Sequence, residues 1–257
     1  MTDKTISHIS CVLIVKNAAQ TLEKTLDALH CFSDVVIYDN GSTDGSQTLA
    51  RQYDNVNLVE GDFLGFGTTK KLASDYAKCD WVLSLDADEV PSEEFLYTLQ
   101  AMTLDNGCVY KINRVNYYKD RQVRYCWGND LIVRLYNKTL TNYNDSKVHE
   151  LVETAQFNVV QITEDVKHYP YVNISQFIIK LDKYSTLFAE DKVGKKKSSP
   201  TKAVLNSLFS FFKTYVLKRG FLDGHAGLII AFSHMATNFY KYMKLYELNK
   251  EQTSAGK

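Results

Sequence analysis

The sequence predicts an α/β fold with a mainly parallel sheet, flanking helices and a C-terminal helical extension. Three observations support this prediction. Short buried runs alternate with helical patterns over the first hundred residues, which is typical of βαβ units. Between residues 100 and 166 the apolar runs are short and alternating, which indicates antiparallel or mixed strands beside the parallel core. From residue 167 onward, apolar residues recur at helical spacing.

The parallel part of the sheet is predicted from β-branched runs that end in polar clusters. The run HISCVLIV predicts the first buried strand, and leucines at helical spacing predict a helix after it. A helix with Leu49 and Tyr53 facing inward is predicted to follow the polar octet DNGSTDGS. The predicted strands are 8–15, 34–38, 56–59 and 80–85, and the other predicted helices are 21–30 and 68–77.

The remaining elements divide the chain at residue 166. Residues 1–166 form the predicted catalytic domain, and 167–257 form a basic region of amphipathic helices. Asn173 is a candidate N-cap for the first of these helices. The predicted strands of the catalytic domain are 108–115, 122–126, 131–135 and 158–162, and the predicted helices of the basic region are 174–188, 201–219 and 228–248.

Composition and charge exclude several classes of protein. The chain has 257 residues, 45% of them hydrophobic, which excludes disordered, collagen-like and coiled-coil proteins. The net charge is zero, but residues 167–250 carry fourteen basic and five acidic side chains. Residues 1–166 carry fifteen basic and twenty-four acidic side chains. This asymmetry indicates two regions with different tasks.

Cysteine usage and hydropathy indicate a cytoplasmic protein. The five cysteines are scattered and form no Cys-x-x-Cys pair, so neither a disulfide framework nor a zinc site is expected. The polar N-terminus does not resemble a signal peptide. No stretch approaches the ~20 apolar residues of a membrane span, so we expect a protein that can touch a membrane without crossing it.

Acidic residues follow the fourth predicted strand. Asp86 and Asp88 stand at i and i+2 directly after a buried strand, and Asp39 follows the second strand. Ligands of parallel sheets bind beyond the carboxyl ends of the strands. Paired carboxylates at that edge suit Mg²⁺ or Mn²⁺, which complete their shells with substrate phosphates. The alternative is a solvated loop at a strand end.

These motifs resemble a known family. The series VLIVKN, VVIYDNGSTDGS, KK and WVLSLDADE resembles the family 2 inverting glycosyltransferases, which have the Rossmann-like GT-A fold. The resemblance implies a nucleotide-sugar donor across the carboxyl edge of the sheet. It implies Asp88 as the metal ligand, with Asp86 holding metal or ribose. The donor-binding residues that it implies are Val15, Asn17, Asp39, Asn40, Lys70 and Asp86.

One donor position departs from the family pattern. The family usually has Asp-Asp where this chain has Asp39-Asn40, and the second Asp commonly accepts a hydrogen bond from uracil N3–H. Asn40 still offers a carbonyl oxygen as an acceptor. The resemblance therefore still implies a UDP-sugar donor.

The second half of the catalytic domain resembles a narrower group. The ordered series CWGND, VRLYN and VHE is similar to the bacterial lipopolysaccharide core-region glycosyltransferases. The similarity continues into FFKTYVLKRGFLDG and KYMKLYE. It implies transfer of a hexose, with glucose from UDP-glucose expected, to an inner-core sugar such as a heptose.

Inverting transfer needs a base to remove the proton of the acceptor hydroxyl. Glu150 is the predicted base, because the family places an acidic residue there on the acceptor side, and Asp130 is the runner-up. His149 is either a metal or diphosphate ligand or a structural histidine. Trp127 either stacks on a sugar or packs in a core. The predicted acceptor-side residues are Trp127, Asp130, Arg134 and His149.

The basic helices fit the surface of an anionic membrane, since they combine lysines with Phe and Tyr. The alternatives are packing on the catalytic domain or on a second subunit. Nucleic acid is not expected, because no nucleic-acid-binding fold signature accompanies the charge. Two other functions stay open, a nucleotidyltransferase and a non-catalytic membrane-binding module. The first usually needs a Gly-rich basic loop after the first strand, and VKNAAQ is not one.

Overall fold

The computed structural model describes residues 5–145 and 150–255. These residues form two compact units. The first unit comprises Met1–Val115 and Asn129–Tyr169, and the second comprises Asn116–Gly128 and Pro170–Lys257.

The first half of the first unit is a parallel sheet in the strand order β3-β2-β1-β4. The register pairs Val15 with Asp39 and Ile14 with Asp86, so both acidic residues lie at the same edge of the sheet. The predicted strands and the predicted helices 21–30 and 68–77 are confirmed with small shifts at their ends, whereas the helix after the polar octet ends at Ala50, before Tyr53. The elements are β1 (Ile9–Val15), α1 (Ala19–Ala28), β2 (Val35–Asp39), α2 (Ser46–Ala50), β3 (Val56–Glu60), α3 (Phe66–Asp75) and β4 (Trp81–Asp86).

The sheet continues with antiparallel strands in the order β4-β8-β6-β9-β5. These strands place charged residues beside the end of β4, because Arg114 on β6 pairs directly with Asp130 on β8. The elements are β5 (Glu89–Pro91), α4 (Glu93–Ala101), β6 (Cys108–Tyr118), β7 (Arg121–Gln122), β8 (Asn129–Asn137) and β9 (Asn158–His168).

The core of the first unit lies on both faces of the sheet. Successive side chains of a strand point to opposite faces. On β1, Cys11, Leu13 and Val15 enter one buried cluster, whereas Val12 enters the other. Burial on both faces explains why β1 is a continuous apolar run in the sequence.

The second unit consists mainly of helices. The N-cap prediction is confirmed, because the Asn173 side chain accepts a hydrogen bond from Gln176 N–H. The elements are α5 (Ile174–Lys192), α6 (Pro200–Phe212), a π-helical turn (Lys213–Leu217), a 3-10 turn (Gly220–Asp223) and α7 (Gly224–Ala255). Both α5 and α6 pack on α7. Within the described residues, no helix has the length and apolar character that crossing a membrane requires.

The predicted strand over 122–126 is wrong beyond Gln122. Instead, the Asp223 carboxylate accepts hydrogen bonds from the backbone N–H groups of Arg124, Tyr125 and Cys126 at 2.8–3.3 Å. This carboxylate replaces the partner strand that the segment would otherwise need. The 3-10 turn that carries Asp223 is closely packed against α7, since a Cβ on Gly227 would overlap the carbonyl oxygen of Gly220.

Alanine in place of Asp223 is expected to lower the free energy of unfolding by about 1.5–3 kcal/mol, because buried N–H groups lose a charged acceptor. Asp223 is only 2% exposed, so water does not replace it freely. Urea unfolding followed by circular dichroism measures the change. Asp182→Ala is the control, because Asp182 forms an exposed pair with Lys244 that contributes at most about 1 kcal/mol. Equal stability of the two variants would contradict the structural role of Asp223.

Candidate active site

A network of charged side chains lies at the end of β4 in the first unit. It contains more carboxylates than cations, and most of its members are shielded from water. The acidic members are Asp86, Asp88, Glu89, Asp130 and Glu150, and the basic members are Lys70, Arg114 and Arg134.

Asp86 is held by cations on both of its carboxylate oxygens. Lys70 Nζ lies 3.0 Å from Oδ1, and Arg134 Nη2 lies 2.7 Å from Oδ2. Burial alone would raise the pKa of Asp86, but Arg134 and Lys70 outweigh it and hold the pKa well below its usual range. Asp86 is therefore ionised at neutral pH, and both of its oxygens are engaged in ion pairs.

Glu89 is a fully buried carboxylate that the sequence motifs did not single out. Its Oε1 accepts hydrogen bonds from Arg114 Nη1 at 3.0 Å and Arg134 Nη2 at 3.2 Å. Its Oε2 accepts the backbone N–H of Asp86 at 2.9 Å. Glu89 thus fixes both the guanidinium groups and the backbone at the end of β4. The acid-rich run LDADE was the signal that could have found it.

Arg114 connects Glu89 to the runner-up base. Its Nη2 lies 2.8 Å from Asp130 Oδ2, directly across the β6–β8 pair. Arg114 belongs to no sequence motif, since it is an isolated arginine within a strand. Asp130 is 43% exposed in its side chain, so it lies at the solvent-facing end of this network.

Lys70 joins the predicted base to the donor-side carboxylate. Its Nζ lies 2.9 Å from Glu150 Oε1 and 3.0 Å from Asp86 Oδ1. Lys70 is only 3% exposed, and its ammonium lies 5.3 Å from the centre of the Tyr143 ring. Burial would lower the pKa of Lys70, but Asp86 reverses the effect and the pKa is raised. Lys70 is therefore a permanent cation between two predicted functional groups.

Asp88 and His168 bring a carboxylate oxygen and an imidazole nitrogen close together, and both atoms are of types that bind metals. Asp88 Oδ2 lies 3.7 Å from His168 Nε2, and two atoms at that separation can both reach one ion with bonds of ~2.1 Å. Burial, followed by the charge of Arg114, lowers the pKa of His168 to about 4. The imidazole is thus neutral at pH 7, which is the form that binds metals.

The backbone around Asp88 is fixed from two sides. Thr25 Oγ1 donates to the carbonyl of Ala87 at 3.0 Å, and Tyr169 N–H donates to the carbonyl of Asp88 at 2.9 Å. His168 precedes Tyr169, so the same contact positions both candidate ligands. No third His, Cys, Asp or Glu joins them within residues 5–145 and 150–255. An ion here would need oxygens from water or substrate, as Mg²⁺ and Mn²⁺ sites commonly do. His168 had no sequence signal.

A second group of predicted site residues lies in the loop after β2, where a donor-binding site is expected. Asp39 Oδ1 accepts hydrogen bonds from the N–H groups of Gly41 and Ser42 and from Gln47 Nε2, at 2.7–3.0 Å. Burial opposes ionisation of Asp39, but these donors outweigh it and lower its pKa. Gly41 has a φ of +80°, which favours glycine at this turn. The other oxygen, Oδ2, is buried and has no hydrogen-bond partner among the described residues.

The remaining donor-site residues surround this loop. The N–H of Asn40 donates to the carbonyl of Val15 at 2.9 Å. The side chain of Asn17 accepts from Thr43 N–H at 2.8 Å, while Asn17 N–H donates to Ser42 Oγ at 2.8 Å. Asn40 Nδ2 donates to the carbonyl of Gly61 at 3.2 Å, which leaves the side-chain carbonyl as its acceptor. The predicted donor residues Val15, Asn17, Asp39 and Asn40 are therefore adjacent.

Two acceptor-side predictions are not part of this network as the structure describes it. Trp127 belongs to the second unit, where its ring is stacked near Tyr171 and Phe177 with centroid distances of 5.7 and 6.3 Å. These contacts favour the packing interpretation of Trp127. His149 lies outside the described residues.

The fold, a mixed sheet with acidic residues at the carboxyl ends of its parallel strands, is that of the GT-A glycosyltransferases. The chain belongs to glycosyl transferase family 2, whose model matches residues 10–166. The chain is 26% identical over 97% of its length, and 90% of the relative's, to an uncharacterized glycosyltransferase of Rickettsia bellii. It is 26% identical over 93% of its length, and 92% of the relative's, to the lipopolysaccharide core biosynthesis glycosyltransferase LpsC of Rhizobium meliloti.

The fold is also that of a solved mannosyltransferase. PcManGT from Pyrobaculum calidifontis, in complex with GDP-Man and Mn²⁺, superposes with a TM-score of 0.50 and 14% identity. The match covers 93% of this chain and 86% of PcManGT. The chain is therefore a glycosyltransferase with the GT-A fold.

Proposed function

We propose that this enzyme transfers a hexose, with glucose as the expected sugar, from a UDP-sugar to an inner-core sugar of lipopolysaccharide with inversion at the anomeric carbon. The observation that carries the proposal is the position of Lys70 Nζ within 3.0 Å of both Asp86 and Glu150. A donor-side carboxylate and a candidate base therefore lie within reach of one another, as a direct displacement requires.

The donor nucleotide is assigned to the edge formed by β1 and β2. Two acceptors there suit a base or ribose that donates hydrogen bonds, the unpartnered Asp39 Oδ2 and the Asn40 carbonyl. An unpaired buried carboxylate oxygen is costly, so a donor group from the ligand would stabilise the site. Uracil N3–H and a ribose hydroxyl both have the required chemistry.

A divalent cation is assigned to Asp88 and His168 rather than to Asp86. Both Asp86 oxygens already contact cations, whereas Asp88 Oδ2 and His168 Nε2 form a pair that fits one ion. Mg²⁺ or Mn²⁺ bound there would offset the charge that develops on the leaving diphosphate. The Mn²⁺ in the PcManGT complex supports a metal at the level of the fold.

Glu150 is the proposed base. Its carboxylate removes the proton from the acceptor hydroxyl as the oxygen attacks the anomeric carbon, and the UDP leaves from the opposite face. Lys70 orients Glu150 through Oε1, which leaves Oε2 as the oxygen that can face the acceptor. Asp130 is the alternative base and is likewise held through one oxygen, by Arg114 at 2.8 Å. Glu150 is preferred because Lys70 joins it to the donor-side Asp86.

The acceptor and the location of the enzyme are inferred from a relative and from the charge of the C-terminal region of the chain. The relative LpsC is named for lipopolysaccharide core biosynthesis, which supports a lipid-linked glycan as the acceptor. The excess of basic residues in 167–250 supports peripheral contact with an anionic membrane on its cytoplasmic side.

The test is a nucleotide-release assay of purified protein against several UDP-sugars and GDP-mannose, with and without Mn²⁺ or Mg²⁺. Metal-dependent release of UDP from UDP-glucose with a core oligosaccharide acceptor is the expected result. Release of pyrophosphate would indicate a nucleotidyltransferase instead. Release of GDP alone would overturn the UDP-sugar assignment, and no release from any donor would favour a non-catalytic module.

Asparagine in place of Asp88 is expected to abolish the stimulation by Mn²⁺ and to lower turnover at least tenfold, since an amide is a poorer ligand for a hard cation. Titration of Mn²⁺ against UDP release measures the effect. Asp54→Asn is the control, because Asp54 is exposed before β3. Unchanged Mn²⁺ dependence in Asp88→Asn would contradict the metal assignment.

A further inference from the structure

The buried face of α6 consists of small and polar residues. Ala203 and Ser207 are 0% and 5% exposed. Ser210 Oγ accepts a hydrogen bond from Asn238 Nδ2 of α7 at 2.8 Å. Thr214, in the turn that continues α6, lies 3.1 Å from His234 Nδ1. The buried positions of α6 and of the turn after it are therefore Ala, Ser and Thr, with no large apolar side chain among them.

The large apolar residues of α6 point to solvent. Their positions are 204, 208 and 212 together with 205 and 209, which lie on one side of a helix. The exposed fractions are 44% for Val204, 62% for Leu205, 55% for Leu208, 59% for Phe209 and 48% for Phe212. A helix of a globular protein normally buries such a stripe. In α6 the stripe lies opposite the buried face of small residues. The large apolar side chains of this helix are therefore exposed and its small side chains are buried.

Aromatic contacts extend this surface beyond α6. Phe211 lies 5.4 Å from Tyr215 and 5.0 Å from Phe232 of α7, between ring centroids. Phe232 is 50% exposed. It also lines an apolar groove of about 350 Å³ between α5 and α7, whose other walls include Ile174, Ile178, Leu181 and Leu228. We call the exposed stripe of α6 together with Phe232 and this groove the apolar surface.

Basic residues flank the apolar surface at both ends of α6. Residues 192–222 contain seven lysines and one arginine but no Asp or Glu. Lys197 and Lys202 are exposed at the start of the helix, and Lys213, Lys218 and Arg219 are exposed after it. An apolar face flanked by exposed cations has the chemistry of a helix that lies in the interface of an anionic bilayer.

We propose that the second unit docks on an anionic lipid bilayer through this apolar surface. Leu205, Leu208, Phe209 and Phe212 enter the boundary between headgroups and acyl chains, and the flanking lysines contact lipid phosphates. The inference extends the proposed function, since it assigns the residues that would bring the enzyme to a lipid-linked acceptor. It rests on exposure and charge, and it can be tested apart from transfer.

A second copy of the chain is a poorer occupant of this surface. In a two-fold symmetric contact the same patch occurs on both sides. The exposed cations that flank the stripe, at positions 197, 202, 213, 218 and 219, would then be brought near those of the other copy. Like charges brought together in this way oppose association. Anionic headgroups supply the missing negative charge.

The experiment is co-sedimentation of the full chain with phosphatidylcholine vesicles and with vesicles that also contain about 30% phosphatidylglycerol. Binding should require phosphatidylglycerol and weaken as salt rises toward ~1 M, where the Debye length is only ~3 Å. Phe209→Ser with Phe212→Ser should lower vesicle affinity at least tenfold. Lys197→Gln and Lys202→Gln should each lower it about fivefold.

The matched control is Leu140→Ser with Val159→Ser, which removes two exposed apolar side chains from the first unit. It should leave vesicle binding unchanged, and all variants should keep the wild-type circular dichroism spectrum.

Equal binding to neutral vesicles would overturn the proposal. So would a dimer that Phe209→Ser with Phe212→Ser converts to a monomer while vesicle binding persists. Vesicle binding without UDP release would reject the proposed function alone, and the reverse result would reject the membrane surface alone.

Discussion

Glutamine in place of Glu150 is expected to lower the rate of sugar transfer by about 10²–10⁴-fold, the usual contribution of a general base. The amide cannot take the proton of the acceptor hydroxyl. It does preserve the size of the side chain, and Lys70 keeps its ion pair with Asp86 at 3.0 Å. UDP-sugar binding should therefore persist. Single-turnover transfer and UDP-sugar titration by calorimetry measure the two quantities separately.

The companion variant for this experiment is Asp130→Asn. Asp130 contacts Arg114 rather than Lys70 and is more exposed than Glu150. We expect Asp130→Asn to reduce transfer much less than Glu150→Gln does. Near-normal turnover in Glu150→Gln together with a large loss in Asp130→Asn would move the base to Asp130. Loss of UDP-sugar binding in Glu150→Gln would instead give Glu150 a role in holding Lys70.

Glutamine in place of Glu89 is expected to lower the free energy of unfolding by about 3–5 kcal/mol, the cost of removing one partner from a buried ion pair. Glu89 is fully buried and is the carboxylate shared by Arg114 and Arg134. An uncharged side chain would leave these two guanidinium groups with a deficit of negative charge in a site that water does not reach freely.

Urea unfolding of the full chain measures this loss. Glu60→Gln is the matched control, because Glu60 pairs with Arg51 at 3.0 Å while both side chains are more than half exposed. An exposed pair of this kind contributes about 0–1 kcal/mol. A similar small change in both variants would show that the buried network does not stabilise the fold. A loss of transfer without a loss of stability would place Glu89 in substrate binding.

The buried network also has a consequence for catalysis. Asp86, Glu89, Arg114, Arg134 and Lys70 hold one another before any substrate is bound. Groups fixed in advance do not need to reorganise when charge moves during the reaction. Conservative changes within the network should therefore affect turnover more than donor affinity.

The sequence by itself determined the parallel half of the fold. It also determined which acidic residues lie at the carboxyl edge of the parallel strands. The strands β1, β2 and β4 are mainly apolar runs because both faces of the sheet are buried there. Each ends in polar residues because the chain leaves the core there. Local composition therefore sufficed to predict Asp39, Asp86 and Asp88 as neighbours at one edge. The motif resemblance added Lys70 and Glu150, and Lys70 contacts both Asp86 and Glu150.

Only the tertiary structure decided the features that depend on partners distant in the sequence. Glu89 pairs with Arg114 and Arg134, which are 25 and 45 residues away, and no spacing rule encodes such pairs. The segment after Gln122 is not a strand because its N–H groups bond to Asp223, 97 residues from Cys126.

The apolar stripe of α6 was visible as a periodicity, but periodicity does not say which face of a helix is buried. Ala203, Ser207 and Thr214 occupy the contact with α7 instead, since small side chains let the helices approach closely. The stripe is therefore left facing solvent.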